Sequence, residues 1–189
     1  MIASIYEDAV LSDFISNEIK ENGSCVDISE DYYSDGVLIN DLIANVKVDD
    51  FYNSLRMNPT PPSVDNLVVV KGRGENRFEL YIIELKDVKK MASLDTVNLV
   101  SKFRTTFEDF MSQRYGEIFL NEGIIISHIN LWIVCNRFRG PFNAQMDEDK
   151  FKRRVKNTAM EALLLTKPFH FRKKLIPIQL KFNEYCEIQ

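Results

Sequence analysis

The segment Pro61 to Lys90, PPSVDNLVVVKGRGENRFELYIIELKDVKK, constrains this chain more than any other stretch. Two apolar runs, Leu67 to Lys71 and Phe78 to Leu85, flank a Gly-rich connection from Gly72 to Arg77. Runs of β-branched and aromatic residues bounded by Gly and Asn predict a β-hairpin. The connection is longer than the tightest two-residue turn, so turn chemistry alone does not set the register. A symmetric loop pairs Lys71 with Phe78, and the same register carried back along both strands sets Asp65 opposite Glu84. Their Cβ atoms are then about 5 Å apart. Lys86, two residues on, projects from the same face as Glu84.

Two carboxylates held that close repel, and one of them holds its proton more tightly unless a cation intervenes. Carboxylate oxygens completed by water and substrate phosphate are what Mg²⁺ prefers. A neighbouring lysine suits an attacking water or the charge that develops on a phosphoryl group. Asp65, then eighteen residues, then Glu84-Leu85-Lys86 resembles the PD-(D/E)xK nuclease superfamily, which includes many type II restriction endonucleases. The resemblance implies that Asp65 and Glu84 bind Mg²⁺, with Mn²⁺ as a substitute, and that Lys86 assists hydrolysis of double-stranded DNA. It implies a homodimer, since cutting both strands of a palindrome calls for two-fold symmetry. It also implies an α/β fold with a restriction-endonuclease-like core: a mixed central sheet flanked by helices, in α-β-β-α-β order around the site. Val64 stands where the superfamily has Pro, with Pro61 and Pro62 just upstream. The plainer alternative is a hairpin whose ends carry solvated charges, but acidic residues are depleted in strands and seldom adjoin such apolar runs.

A chain of 189 residues, 45% of them hydrophobic, is expected to form one domain with a substantial core. We divide it into a helical N-terminal part (1–60), a catalytic core (61–136) and a basic C-terminal part (137–189) of the same domain. No stretch is long and apolar enough to cross a membrane, and the N-terminus lacks a signal-peptide pattern. Cys25, Cys135 and Cys186 have no metal-ligand spacing and read as reduced thiols of a cytoplasmic protein. No loop of nucleotide-binding type is present, and no organic cofactor is expected. The net charge of −4 conceals an asymmetry. Residues 1–136 hold 12 Lys and Arg against 22 Asp and Glu, whereas residues 137–189 hold 12 against 6. Such a division suggests a face that meets a polyanion, or two halves that pair with each other.

Along the chain, Ile5, Ala9, Val10, Phe14, Ile15 and Ile19 recur at near-helical spacing and predict an amphipathic helix over 1–21, stopped by Gly23. By the resemblance such a helix lends a third acid to the metal, for which Glu18 is the candidate; a solvated helix charge is the alternative. Cys25 to Ile28 reads as a short strand, and Asp35-Gly36 as a turn before Val37 to Ile39. Val48 to Met57 reads as a helix with Asp49 and Asp50 in its first turn, and Asp50 is the second candidate acid. Leu94 to Tyr115 reads as a long helix with an apolar stripe. Lys102 on its flank is the candidate for the basic residue that the resembled fold places near its site, or for a nucleic-acid contact, against a plain solvated lysine. Ile124 to Cys135 reads as a buried strand, with His128 packed or hydrogen-bonded in the core. The C-terminal part interleaves basic residues with aromatics, a pattern suited to phosphates. Lys152, Arg153, Arg154, Lys156, Arg172, Lys173 and Lys174 are its candidate contacts, with a solvated basic helix as the equal alternative. A last strand is expected over Leu175 to Phe182.

The reading is thus a magnesium-dependent endodeoxyribonuclease. Its main rival is a non-catalytic module of the same fold that binds nucleic acid or a protein through the basic C-terminal face. A third reading is a protein-interaction domain that uses its acidic N-terminal half.

Overall fold

The computed structural model describes residues 1–87, 95–135, 159–182 and 186–189. The N-terminal part contributes α1 (Ile2–Glu7), β1 (Ile19–Glu21), β2 (Ser24–Ile28), β3 (Tyr33–Ser34), β4 (Val37–Leu38), β5 (Ile43–Lys47) and α2 (Val48–Ser54). The central hairpin follows as β6 (Asn66–Lys71) and β7 (Arg77–Lys86). Next come α3 (Thr96–Thr105), its π-helical continuation Thr106–Arg114, α4 (Gly116–Phe119) and β8 (Ile125–Cys135). The described C-terminal elements are α5 (Ala159–Leu164), β9 (Phe169–Phe171), β10 (Lys174–Ile176), β11 (Ile178–Phe182) and β12 (Glu187–Ile188).

The N-terminal part is therefore not the helical segment expected. The anticipated helix over 1–21 ends after Glu7, because the Asp8 carboxylate accepts hydrogen bonds from the amides of Val10 and Leu11. A short acidic side chain that captures nearby backbone N–H groups competes with helix continuation. After a 3₁₀ turn, Ile15 bridges to Val46 and the Ser16 amide donates to the Asn45 carbonyl, so the chain joins a sheet edge instead. Gly23 is no helix stop. Asn22-Gly23, both at positive φ, form the two-residue turn between β1 and β2. Asp35-Gly36 does the same between β3 and β4.

Among the described residues, five strands form the central sheet in the order β11-β8-β7-β6-β5. β5, β6 and β7 are antiparallel neighbours, while β7, β8 and β11 run parallel, so the sheet is mixed. The hairpin register is the one read from the sequence: Lys71 faces Phe78 and Asn66 faces Ile83. β7 and β8 pair from Arg77 to Lys86, with a bulge at Ser127. The expected last strand is broken at Pro177, which separates β10 from β11.

The middle strands are buried on both faces, which explains why they read as unbroken apolar runs. On one face Leu67, Val69, Leu80, Ile82 and Leu131 pack under α2, α3 and the π-helix, through Phe51, Tyr52, Phe103, Phe107 and Phe110. On the other face Val68, Val70, Ile83 and Trp132 are covered by Ile19, Val26, Ile28 and Ile188. That cover is a second, three-stranded sheet, β1-β2-β12, so among the described residues helices do not flank both faces. The helix expected over 94–115 becomes π-helical in its second half, with the Tyr115 amide donating to the Phe110 carbonyl. The wider turn lets Phe107, Phe110 and Met111 all reach the core. Among the described residues no helix is long and apolar enough to cross a membrane.

Candidate active site

Asp65 and Glu84 meet where the central hairpin opens. One register step beyond the Asn66–Ile83 pair they lie opposite each other, on the face covered by α3. Both are buried: Asp65 is 4% exposed and Glu84 0%. Burial of two carboxylates side by side requires compensation. Asp65 Oδ2 accepts a hydrogen bond from the Leu85 amide. Glu84 Oε1 lies 2.6 Å from Lys86 Nζ and 2.7 Å from Lys102 Nζ, and Lys102 Nζ is 3.6 Å from Asp65 Oδ1. Among the described residues, Glu84 Oε2 has no hydrogen-bond partner. The Lys86 side chain is 30% exposed and that of Lys102 17%, so Lys86 is the one nearer solvent.

Burial, and then the charge of Glu84, push the Asp65 carboxyl up to about 8, against the opposing pull of Lys102 and the Leu85 amide. For Lys102, burial favours the neutral amine, but the carboxylates of Glu84 and Asp65 outweigh it and raise its pKa. The Asp65 carboxyl ionises near 3.8 in an unfolded chain, so between about 4 and 8 the folded protein binds more protons than the unfolded one. Stability contributed by this group therefore falls as pH rises through that window. Lys102, whose pKa is also raised, acts in the same sense, but only at alkaline pH above 10.5. In chelator, the melting temperature of the wild type is expected to drop by several degrees between pH 5.5 and 8.5 relative to Asp65→Asn. Parallel pH profiles for the two proteins would refute the assignment.

Two further acids approach from neighbouring elements. The amide of Val48, at the start of α2, donates to the Asp65 carbonyl, which sets Asp49 beside Asp65. Ser24 Oγ donates to the Lys86 carbonyl and pins the β1–β2 hairpin, with Glu21 at its turn, to the end of β7. Oxygens of Glu21, Asp49 and Asp65 lie within 4.8 Å of one another. Burial is the main cause that raises the Asp49 pKa, followed by the charge of Asp50.

The structure thus brings together Asp65, Glu84 and Lys86, and adds Lys102. That lysine is not a plain solvated helix residue, because its ammonium is turned inward onto Glu84. Glu18 and Asp50 are not in the acidic group: Glu18 is exposed and ion-paired with Lys20, and Asp50 is exposed on α2. Glu21 and Asp49 stand in their place. The missed signal was Asn22-Gly23, since a hairpin turn there puts Glu21 at a strand end next to the site. Arg172 donates to the carbonyls of Asn121 and Ile124, and Lys174 to that of Ser127, so both brace the fold instead of facing outward. Lys173 is exposed in the two-residue turn between β9 and β10. Lys152, Arg153, Arg154 and Lys156 lie outside the described residues. His128 is a surface residue, 71% exposed and 3.3 Å from Glu79, because it lies beyond the bulge on a part of β8 that the second sheet leaves open.

Family models, curated proteins and solved structures were all compared with the chain. None matches.

Proposed function

We propose that this protein is a metal-dependent endonuclease that hydrolyses DNA phosphodiester bonds in the manner of a type II restriction enzyme, acting as a homodimer on double-stranded DNA. One observation carries the reading: two buried carboxylates, Asp65 and Glu84, converge with Lys86 at the open end of a hairpin. Structural ion pairs are normally satisfied, whereas here a fully buried Glu84 oxygen has no hydrogen bond. An all-oxygen, anionic donor set fits a hard divalent cation such as Mg²⁺ or Mn²⁺. When bound, that ion supplies a Lewis acid for phosphoryl oxygen and lowers the pKa of water. Asp65 and Glu84 would hold it. Lys86, the more exposed lysine, orients the attacking water and offsets charge growing on the phosphoryl oxygens. Lys102 keeps the Glu84 side chain in one rotamer and spares it a flexible geometry.

A second reading, a non-catalytic module with this architecture that binds nucleic acid or a protein, is favoured by a different feature. When all four are ionised, Asp65 and Glu84 balance Lys86 and Lys102, as in a self-contained structural network. The two readings separate in one assay: cleavage of mixed plasmid and phage DNA with Mg²⁺ or Mn²⁺, beside a chelator control, Asp65→Ala and Glu84→Ala. Discrete fragments that vanish in both variants support the nuclease. Intact DNA with the wild type in both metals rejects it, and cleavage that survives both substitutions rejects these residues.

A further inference from the structure

We infer that Lys102 is a resident counter-cation which a divalent ion displaces, so that loading this site exchanges an ammonium group for the metal. The inference rests on the reading of Asp65 and Glu84 as metal ligands and concerns how they are kept before the ion arrives. Lys102 Nζ is 2.7 Å from Glu84 Oε1 and 3.6 Å from Asp65 Oδ1, so one ammonium group serves both carboxylates. It reaches them from α3, outside the hairpin that carries the acids. Lys86 differs, because it contacts Glu84 alone, at 2.6 Å.

Charge prevents the ion and the Lys102 ammonium from sharing the two acids. When all four side chains are ionised, Asp65 and Glu84 are balanced by Lys86 and Lys102. A dication added to that set leaves a buried excess of two positive charges, which a protein interior tolerates poorly. Withdrawal of Lys102 halves the excess and leaves it on Lys86, the lysine nearer solvent. Cations held against the same buried carboxylates also repel each other more strongly than they do in water. The lysines, moreover, fill the site incompletely. Both ammonium groups crowd onto Oε1, and among the described residues the buried Oε2 is left without a hydrogen bond. Buried polar atoms are normally partnered. Lys102 has the means to leave: its side chain is 17% exposed, and its flexible four-carbon stem can turn outward while α3 stays in place. Until then its ammonium separates two acids that otherwise repel.

The test is Mn²⁺ binding to the full chain, followed by the paramagnetic resonance signal of the free ion. Lys102→Met keeps the apolar stem, removes the charge, and is expected to bind Mn²⁺ at least roughly tenfold more tightly than wild type. Arg104→Met removes an exposed cation from the same helix and should stay within about threefold of wild type. In chelator Lys102→Met should melt below wild type, because Glu84 loses a buried partner, and saturating Mn²⁺ should raise its melting temperature by more than it raises that of wild type. A readout on the wild type alone covers a variant that fails to fold. Acetylation of Lys102 by an amine-reactive ester, quantified by peptide mass spectrometry against exposed Lys173, should rise roughly threefold or more as Mg²⁺ is added. Affinity in Lys102→Met no tighter than in wild type overturns the exchange. So does a gain of the same size in Arg104→Met, Lys102 labelling that stays level or falls with Mg²⁺, or no Mn²⁺ bound by either protein at millimolar concentration. The nuclease reading fails separately. Exchange as expected without DNA cleavage removes the nuclease and keeps the exchange, while metal-dependent cleavage with unmoved Mn²⁺ affinity in Lys102→Met removes the exchange and keeps the nuclease.

Discussion

Glu84→Gln is expected to lower DNA cleavage by roughly 10³-fold, the scale seen when a preorganised charge is removed from a reacting centre. The substitution preserves shape and leaves an amide oxygen near Lys86 and Lys102. It removes the negative charge that holds both ammonium groups at 2.6 and 2.7 Å. Lys102 then retains only Asp65, 3.6 Å away, and Lys86 is free to turn to solvent. Two stability effects oppose each other. Loss of a buried partner costs, but relief of the repulsion on Asp65 returns part of that cost, so the net change should stay below about 3 kcal/mol. Single-turnover cleavage and urea denaturation of the same preparation separate chemistry from folding. A variant that cleaves at the wild-type rate would remove Glu84 from the site, however stable it proved.

Phe110→Ala should be the most destabilising single substitution in the helix-side core, at about 3–5 kcal/mol. Phe110 is fully buried, and its ring centroid lies 4.9 Å from that of Tyr115, 5.3 Å from Phe51, and 6.3 Å from both Tyr52 and Phe119. The five rings join α2, the π-helix and α4 into one packed layer, so truncation leaves a cavity that rigid neighbours cannot close. For a chain of this size the melting temperature should fall by roughly 10 °C. Leu165→Ala, at a residue 78% exposed, should cost less than about 0.5 kcal/mol and serves as the control. The effect reaches the site as well. Tyr52 Oη donates to Asp109 at 2.6 Å and thereby fixes α2, whose Val48 amide donates to the Asp65 carbonyl, against the π-helix. Loosening this layer should weaken Mn²⁺ binding before the protein unfolds. Equal stability of Phe110→Ala and Leu165→Ala would contradict the packing described.

The acids that approach Asp65 show where sequence reading stops. Asp65, Glu84 and Lys86 were legible because a hairpin has period two and a single register, so two apolar runs and one Gly-rich turn locate three side chains on one face. Glu18 and Asp50 were each chosen on a helical pattern. One pattern did not exist, because Asp8 and the Asn22-Gly23 turn divide residues 1–21 into a short helix and a strand. In the other the helix is real, but burial of Val48, Phe51 and Tyr52 turns Asp49 toward the site and leaves Asp50 outside. Strand β5 was unread for a related reason: Ala44 and Asn45 weaken its apolar signal, yet Asn45 is fully buried, satisfied by Asn66 and by the carbonyls of Ser16 and Glu18.

The sequence by itself determined the β6–β7 hairpin, the following helical crossover and the parallel strand β8, and a symmetric loop matches the register the structure shows. All of these rest on contacts between neighbours in the chain or on periodicities a few residues long. Tertiary structure alone decided that a small sheet covers the second face, that Lys102 turns inward onto Glu84, and that Glu21 and Asp49 join Asp65. Those choices depend on which distant surfaces come into contact, and a buried charge takes whatever partner the packed fold presents to it, from however far along the chain.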